Sequence, residues 1–176
     1  MRKTLASLFG LLILGLYSCA QEPPEDRPRL TNGEFDRKLT SLLSFKVPLV
    51  GVEKVKAQRG QYYLLDTRER KEYEVSHIPG AEYLGYRDFD PARLKEVPRD
   101  TPIVLYCSVG YRSERIGKKL QDAGFTNVRN LYGSIFEWAN RGYPLEDSQG
   151  KPVNRIHTYN KNWSRWVEDD AARKVW

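Results

Sequence analysis

The chain has 176 residues, two cysteines, two histidines and a formal net charge of +6. Loss of an N-terminal leader carrying Arg2 and Lys3 leaves about +4 on about 155 residues, enough for one domain with its own core. That charge does not demand nucleic acid, since no aromatic-interleaved basic stripe, nucleic-acid motif or internal repeat is present.

Arg2 and Lys3 form a basic start, followed by an apolar run from Leu5 to Tyr17. At about 1.5 Å per residue this run is too short to cross a ~30 Å hydrocarbon core comfortably and reads as a secretory signal. Its end, Leu16-Tyr17-Ser18-Cys19, resembles the bacterial lipobox. The resemblance implies cleavage before Cys19 and lipidation of that residue, giving a cell-envelope protein that faces the periplasm and is held in a membrane. Ala20 is not the aspartate that retains some lipoproteins in the inner membrane, which leans toward the outer one. The alternative is an ordinary cleaved signal. Residues 1–18 are thus the signal peptide, and the Pro-rich, charged residues 19–30 read as an extended tether. If Cys19 is a thioether, Cys107 has no partner for an intrachain disulfide. An unpaired thiol in an oxidising compartment is flagged as reactive, against the bland reading of a small buried hydrophobe.

Beyond the tether, Phe35, Leu39, Leu42 and Leu43 have helical spacing, with Asn32 placed to cap the start. Val47 to Val50 reads as a short strand, followed by a helix stopped by Gly60. "YYLLD" is a strand ending in Asp66, then a charged helix and a turn fixed by Pro79-Gly80. "EYLGY" is a short strand, "DPARLKEVPRD" a helical turn, and "PIVLYC" the most apolar strand of all. "RSERIGKKLQDAG" is a helix with Gly124 as its C-cap residue. "FTNVRNLYG" holds a strand, and "SIFEWANRG" a helix with Ser134 at its N-cap and Gly142 after its end. Strand–helix alternation over residues 47–142 predicts an α/β domain: one mostly parallel sheet with helices on both faces. Function in such sheets gathers beyond the strand C-termini, where Asp66 and Cys107 fall.

The thiolate is the reactive form of cysteine, and a free thiol is mostly protonated at neutral pH. After Cys107 comes a short loop and then a helix, whose first N–H groups and dipole favour an anion. Arg112 and Arg115 add full charges, and Gly110 lets the backbone turn tightly. Consecutive N–H groups curled around a sulfur form an anion nest, so the Cys107 pKa is expected to be lowered.

The loop Cys107-Ser108-Val109-Gly110-Tyr111-Arg112-Ser113 resembles the C-x-x-G-x-R-S active-site loop of the single-domain rhodanese family. "LLDTRERKEYEVSHIPGA" resembles that family's D-x-R…E-[YF]…G-H-I-P-G-A block, with Ser76 at the usual glycine. "VRNLYGSIFEWANRGYPL" resembles its closing element, with Ser134 in place of a second glycine. The resemblance covers residues 31–146. It implies that Cys107 is the nucleophile, that it takes a sulfane sulfur from a small anionic donor such as thiosulfate, and that it passes it to cyanide or a thiol. It also implies that the amides from Ser108 to Ser113 cradle the persulfide, that Arg112 holds the donor, and that no metal or organic cofactor takes part. Asp66 is expected to cap the turn after it, with Arg68 tying down neighbouring loops rather than reaching the loop mouth. His77 is expected to fix its turn rather than act as a base. His77, His157 and one cysteine make no metal-ligand pattern. Trp138 reads as core, and Lys118 and Lys119 as a solvated face.

Residues 147–176 lie beyond the resemblance. Trp163, Trp166 and Val167 share a helical face with Ala171 and Val175, which predicts a helix packed on the domain, with a protein-partner or dimer surface as the alternative. Two rival functions remain. One is a noncatalytic or sulfur-relay module serving a partner protein. The other is a phosphatase or arsenate reductase, whose Cys-x5-Arg loop would need arginine where Ser113 stands.

Overall fold

The computed structural model describes residues 22–176, so Cys19 and the leader before it lie outside the described residues. The first half runs α1 (Gly33–Thr40), β1 (Leu49–Val50), α2 (Val52–Ala57), β2 (Tyr63–Asp66), α3 (Arg70–Val75), β3 (Glu82–Tyr83) and β4 (Ile103–Tyr106). It continues through α4 (Tyr111–Asp122), β5 (Val128–Leu131), α5 (Ser134–Asn140), β6 (Leu145–Glu146), β7 (Pro152–Val153), β8 (Arg155–His157), α6 (Lys161–Ser164) and β9 (Arg173–Val175).

Five strands form one parallel sheet in the order β1-β5-β4-β2-β3. Side chains alternate across it. Leu64, Val104 and Tyr106 face one core with Phe35 and Leu39 of α1, Val52 and Val55 of α2, and Ile135 and Phe136 of α5. Leu65, Ile103 and Leu105 face the other with Ile116 and Leu120 of α4. Burial on both faces explains why β4 is apolar at every position. The expected α/β sheet with helices on both faces is what the chain adopts. Only Leu49 and Val50 of the expected Val47–Val50 strand pair with a neighbour. Pro48 has no N–H to give a ladder, although its carbonyl accepts from Asn130.

Asn32 caps α1 as expected, its side chain accepting from the amides of Glu34 and Phe35. Ser134 does not cap α5. The cap is Gly133 at φ 74°, where a Cβ would come within 2.5 Å of Glu137. Ser134 itself holds a left-handed φ of 52°, a conformation that favours glycine. Its buried hydroxyl donates to the Leu131 carbonyl and accepts from the Cys107 amide, tying α5 to the end of β4. Ser76 departs from the family glycine at no backbone cost, since its φ of −171° suits any residue.

The expected long C-terminal helix is not formed. Four residues of helix are followed by turns, and β9 pairs in parallel with β8. Arg173–Val175 pair with β8 instead, after Asp169-Asp170, residues that favour turns over helix interiors. Trp166, Val167 and Ala172 are buried in the first core, and Trp166 stacks on Phe35 with ring centres 5.5 Å apart. The segment read as a tether also touches the domain: Arg27 pairs with Asp36 at 2.6 Å, and Leu30 packs on the first core.

Candidate active site

Cys107 follows β4 at the C-terminal edge of the sheet. Its carbonyl accepts the Ile135 amide and that of Ser108 accepts the Phe136 amide, both at 3.2 Å. Gly110 turns the loop at φ 114°, which a side chain would rarely tolerate even though there is space for one. Asn130 on β5 locks the far side: its amide donates to the Gly110 carbonyl at 3.0 Å, and its oxygen accepts from Ser113 Oγ at 2.7 Å. With its carbonyls held outward, the loop turns amides inward. The Gly110 N–H lies 3.2 Å from Cys107 Sγ.

Cys107 is 1% exposed, and burial alone pushes its pKa up. Arg112 and the amides of Ser113, Gly110 and Val109 outweigh that burial and bring the thiol below its ordinary value. Of the amides expected to cradle the sulfur, that of Gly110 lies within hydrogen-bond reach of it. Ser108 turns its hydroxyl to Arg112 Nη2 instead, at 3.0 Å. Tyr111 lines the pocket mouth with Arg115 over its ring at 4.6 Å.

The sequence reading missed Glu72. It is fully buried on α3 and grips Arg112 with both oxygens, at 2.6 and 2.8 Å. Its place is fixed by a reciprocal N-cap with Glu69, whose amide it accepts at 3.0 Å. Arg112 has five N–H groups and uses three on Glu72 and Ser108, leaving two for an anion. Burial works to raise the Glu72 pKa, yet the Arg112 hydrogen bonds and charge hold it at about 2, from 4.5. The carboxylate therefore adds stability in full above pH 4.5, lost as pH falls toward 2. Glu72→Gln should cost about 3 kcal/mol at neutral pH and flatten the acid limb of the stability curve, read by urea unfolding between pH 2 and 7.

Asp66 and Arg68 form a wholly buried pair at 2.6 Å beneath the site. Asp66 accepts the Arg68 amide, and Arg68 also donates to the Ser76 carbonyl at 2.6 Å, tying β2 to the turn after α3. His77 stacks on Tyr73 at 3.8 Å and sits 3.1 Å from the Tyr73 carbonyl and 3.4 Å from Glu146. None of these three reaches the cysteine pocket. Trp138 is core, its indole N–H donating to the Pro144 carbonyl, and Lys118 and Lys119 are exposed.

Above the sulfur lies a pocket of about 650 Å³, bordered by Glu72, Tyr86, Val109 and Arg112 and by Tyr159 and Trp163 of the C-terminal extension. The chain is thus an α/β domain that presents one cysteine at the C-terminal edge of a parallel sheet, beside a backbone amide and an arginine. Residues 52–141 match the Rhodanese-like domain family, and the chain belongs to it. It is similar to a sulfurtransferase of Allochromatium vinosum, 36% identical over 87 residues that cover 49% of this chain and 80% of that one. A tRNA uridine(34) hydroxylase of Erwinia tasmaniensis is 34% identical over 115 residues, 61% of this chain and 32% of that one. Among solved structures, the thiosulfate sulfurtransferase from Pseudomonas aeruginosa superposes with a TM-score of 0.53 at 27% identity. That match covers 61% of this chain and 21% of that one.

Proposed function

We propose that this protein is a sulfurtransferase working through a persulfide on Cys107. The observation that carries the reading is the Gly110 amide 3.2 Å from a sulfur whose pKa is lowered despite burial. The Cys107 thiolate attacks the outer sulfur of thiosulfate, the sulfur–sulfur bond breaks, and sulfite leaves with the electron pair. The negative charge then rests on the outer persulfide sulfur. A cyanide or thiolate acceptor takes that sulfur, and the thiolate returns. One hard transfer becomes two easier ones. The two uncommitted N–H groups of Arg112 meet the anionic donor, while Glu72 fixes the guanidinium. Ser113, at the phosphatase arginine position, is spent on Asn130, which weighs against an oxyanion hydrolase. A cysteine only 1% exposed favours a small donor over a protein relay partner.

The test is the intact mass after incubation with thiosulfate, then with 3-mercaptopyruvate. A gain of one sulfur atom, discharged by cyanide, supports the reading. No gain with either donor, together with hydrolysis of an aryl phosphate, overturns it.

We further propose that Cys19 is lipidated and holds the domain at the periplasmic face of a bacterial membrane, the outer one being favoured. Labelling with radioactive palmitate tests it: label on the parent and none on Cys19→Ala supports the anchor, and an unlabelled parent contradicts it.

A further inference from the structure

The pocket above Cys107 is larger than an inorganic sulfur donor or cyanide needs. Clefts of roughly 300–1,000 Å³ hold organic ligands, and this one measures about 650 Å³. Part of its wall comes from residues 147–176, outside the stretch that matches the family. Tyr159 is 51% exposed and holds a left-handed φ of 67°, strained for an aromatic residue. Three contacts keep it there. The Tyr159 amide donates to His157 Nδ1 at 3.0 Å, β8 is paired with β9, and Arg155 of β8 donates to the Val75 carbonyl at the end of α3. Burial is the main influence lowering the His157 pKa, which keeps the ring neutral and able to accept. The Tyr159 ring is 5.5 Å from the Arg112 guanidinium. Trp163 is set one turn on by Asn160, whose side chain accepts the Trp163 amide at 3.1 Å.

Charge on the pocket wall is specific too. Glu72 is paired with Arg112 and Glu69 with Arg87, so Lys71 is the wall cation without an ion pair among the described residues. The wall therefore offers aromatic faces and one cation not already held by a carboxylate.

We propose that the C-terminal extension is the specificity half of this site: Tyr159 and Trp163 select an organic thiol acceptor bearing an apolar or aromatic body and one carboxylate, over small acceptors such as cyanide. This rests on the sulfurtransferase reading. The acceptor thiolate attacks the outer sulfur of the Cys107 persulfide, the sulfur–sulfur bond breaks with its electron pair returning to Sγ, and the acceptor leaves as its own persulfide. Tyr159 and Trp163 hold the acceptor body, and Lys71 meets its carboxylate.

The test uses the full chain loaded with sulfur, and two acceptors, 4-mercaptophenylacetate and 2-mercaptoethanol. Comparing the ratio of their kcat/KM values between variants cancels the intrinsic reactivity of each thiol. Tyr159→Ala and Trp163→Ala should each lower the ratio about fivefold, mainly through the KM of the aromatic acid, and Tyr159→Phe should restore it. Ratios within 1.5-fold of the parent in both alanine variants overturn the proposal. If no persulfide forms at all, the sulfurtransferase reading fails, and specificity is read from Cys107 alkylation by iodoacetanilide relative to iodoacetamide. The same variants should lower that ratio about fivefold, and unchanged ratios overturn the proposal there too.

Discussion

Cys107→Ser should fold and lose sulfur transfer by at least about a thousandfold, the scale seen when a nucleophile is removed. Serine fits the 1% exposed site, and the loop is still held by Ile135, Phe136 and Asn130, none of which bonds to the sulfur. Stability should therefore stay within about 1 kcal/mol of the parent. A hydroxyl does not ionise near neutral pH and forms no persulfide, so the mass gain with thiosulfate should vanish along with turnover. Residual transfer above a few per cent of the parent rate would mean that another group carries the sulfur.

Arg68→Ala should destabilise the domain by about 3–5 kcal/mol, because it strands the Asp66 carboxylate in the interior. Both side chains are wholly buried, and Arg68 also holds the Ser76 carbonyl. Single domains of this size are stable by about 5–15 kcal/mol, so the loss removes a large share. The midpoint of urea unfolding reads it directly. Replacing both partners, Asp66→Leu with Arg68→Met, should recover much of the loss, because no uncompensated charge remains. A single-variant loss under about 1 kcal/mol would show that Asp66 finds other partners.

The fold was readable where one face or two of a segment repeat on a simple period. The β4 strand is a continuous apolar run because both faces are covered, and α4 carries Ile116 and Leu120 at helical spacing. Cys107, Gly110 and Arg112 were readable because loop chemistry is local in sequence. Glu72 was not: its partner Arg112 lies forty residues on, and a glutamate in a charged helix looks solvated until the fold buries it. Asn130 gave no signal either, one polar residue in a short strand. The extension misled for a similar reason. Its aromatic spacing suits a helix, but the β8 partner that turns Arg173–Val175 into a strand is set by tertiary structure. Ser134 occupied a cap-like position by residue type alone, while its hydroxyl was needed at the Cys107 amide.

The proposed chemistry depends on the sulfur of Cys107 ionising more readily than an ordinary thiol. Iodoacetamide alkylation followed by mass measurement across pH 5 to 10 tests that most directly. The rate should rise to its plateau with a midpoint below the 9.0 of an ordinary cysteine, and Arg112→Leu should move that midpoint upward. A midpoint at or above 9.0, or a thiol that no pH renders reactive, would contradict the account.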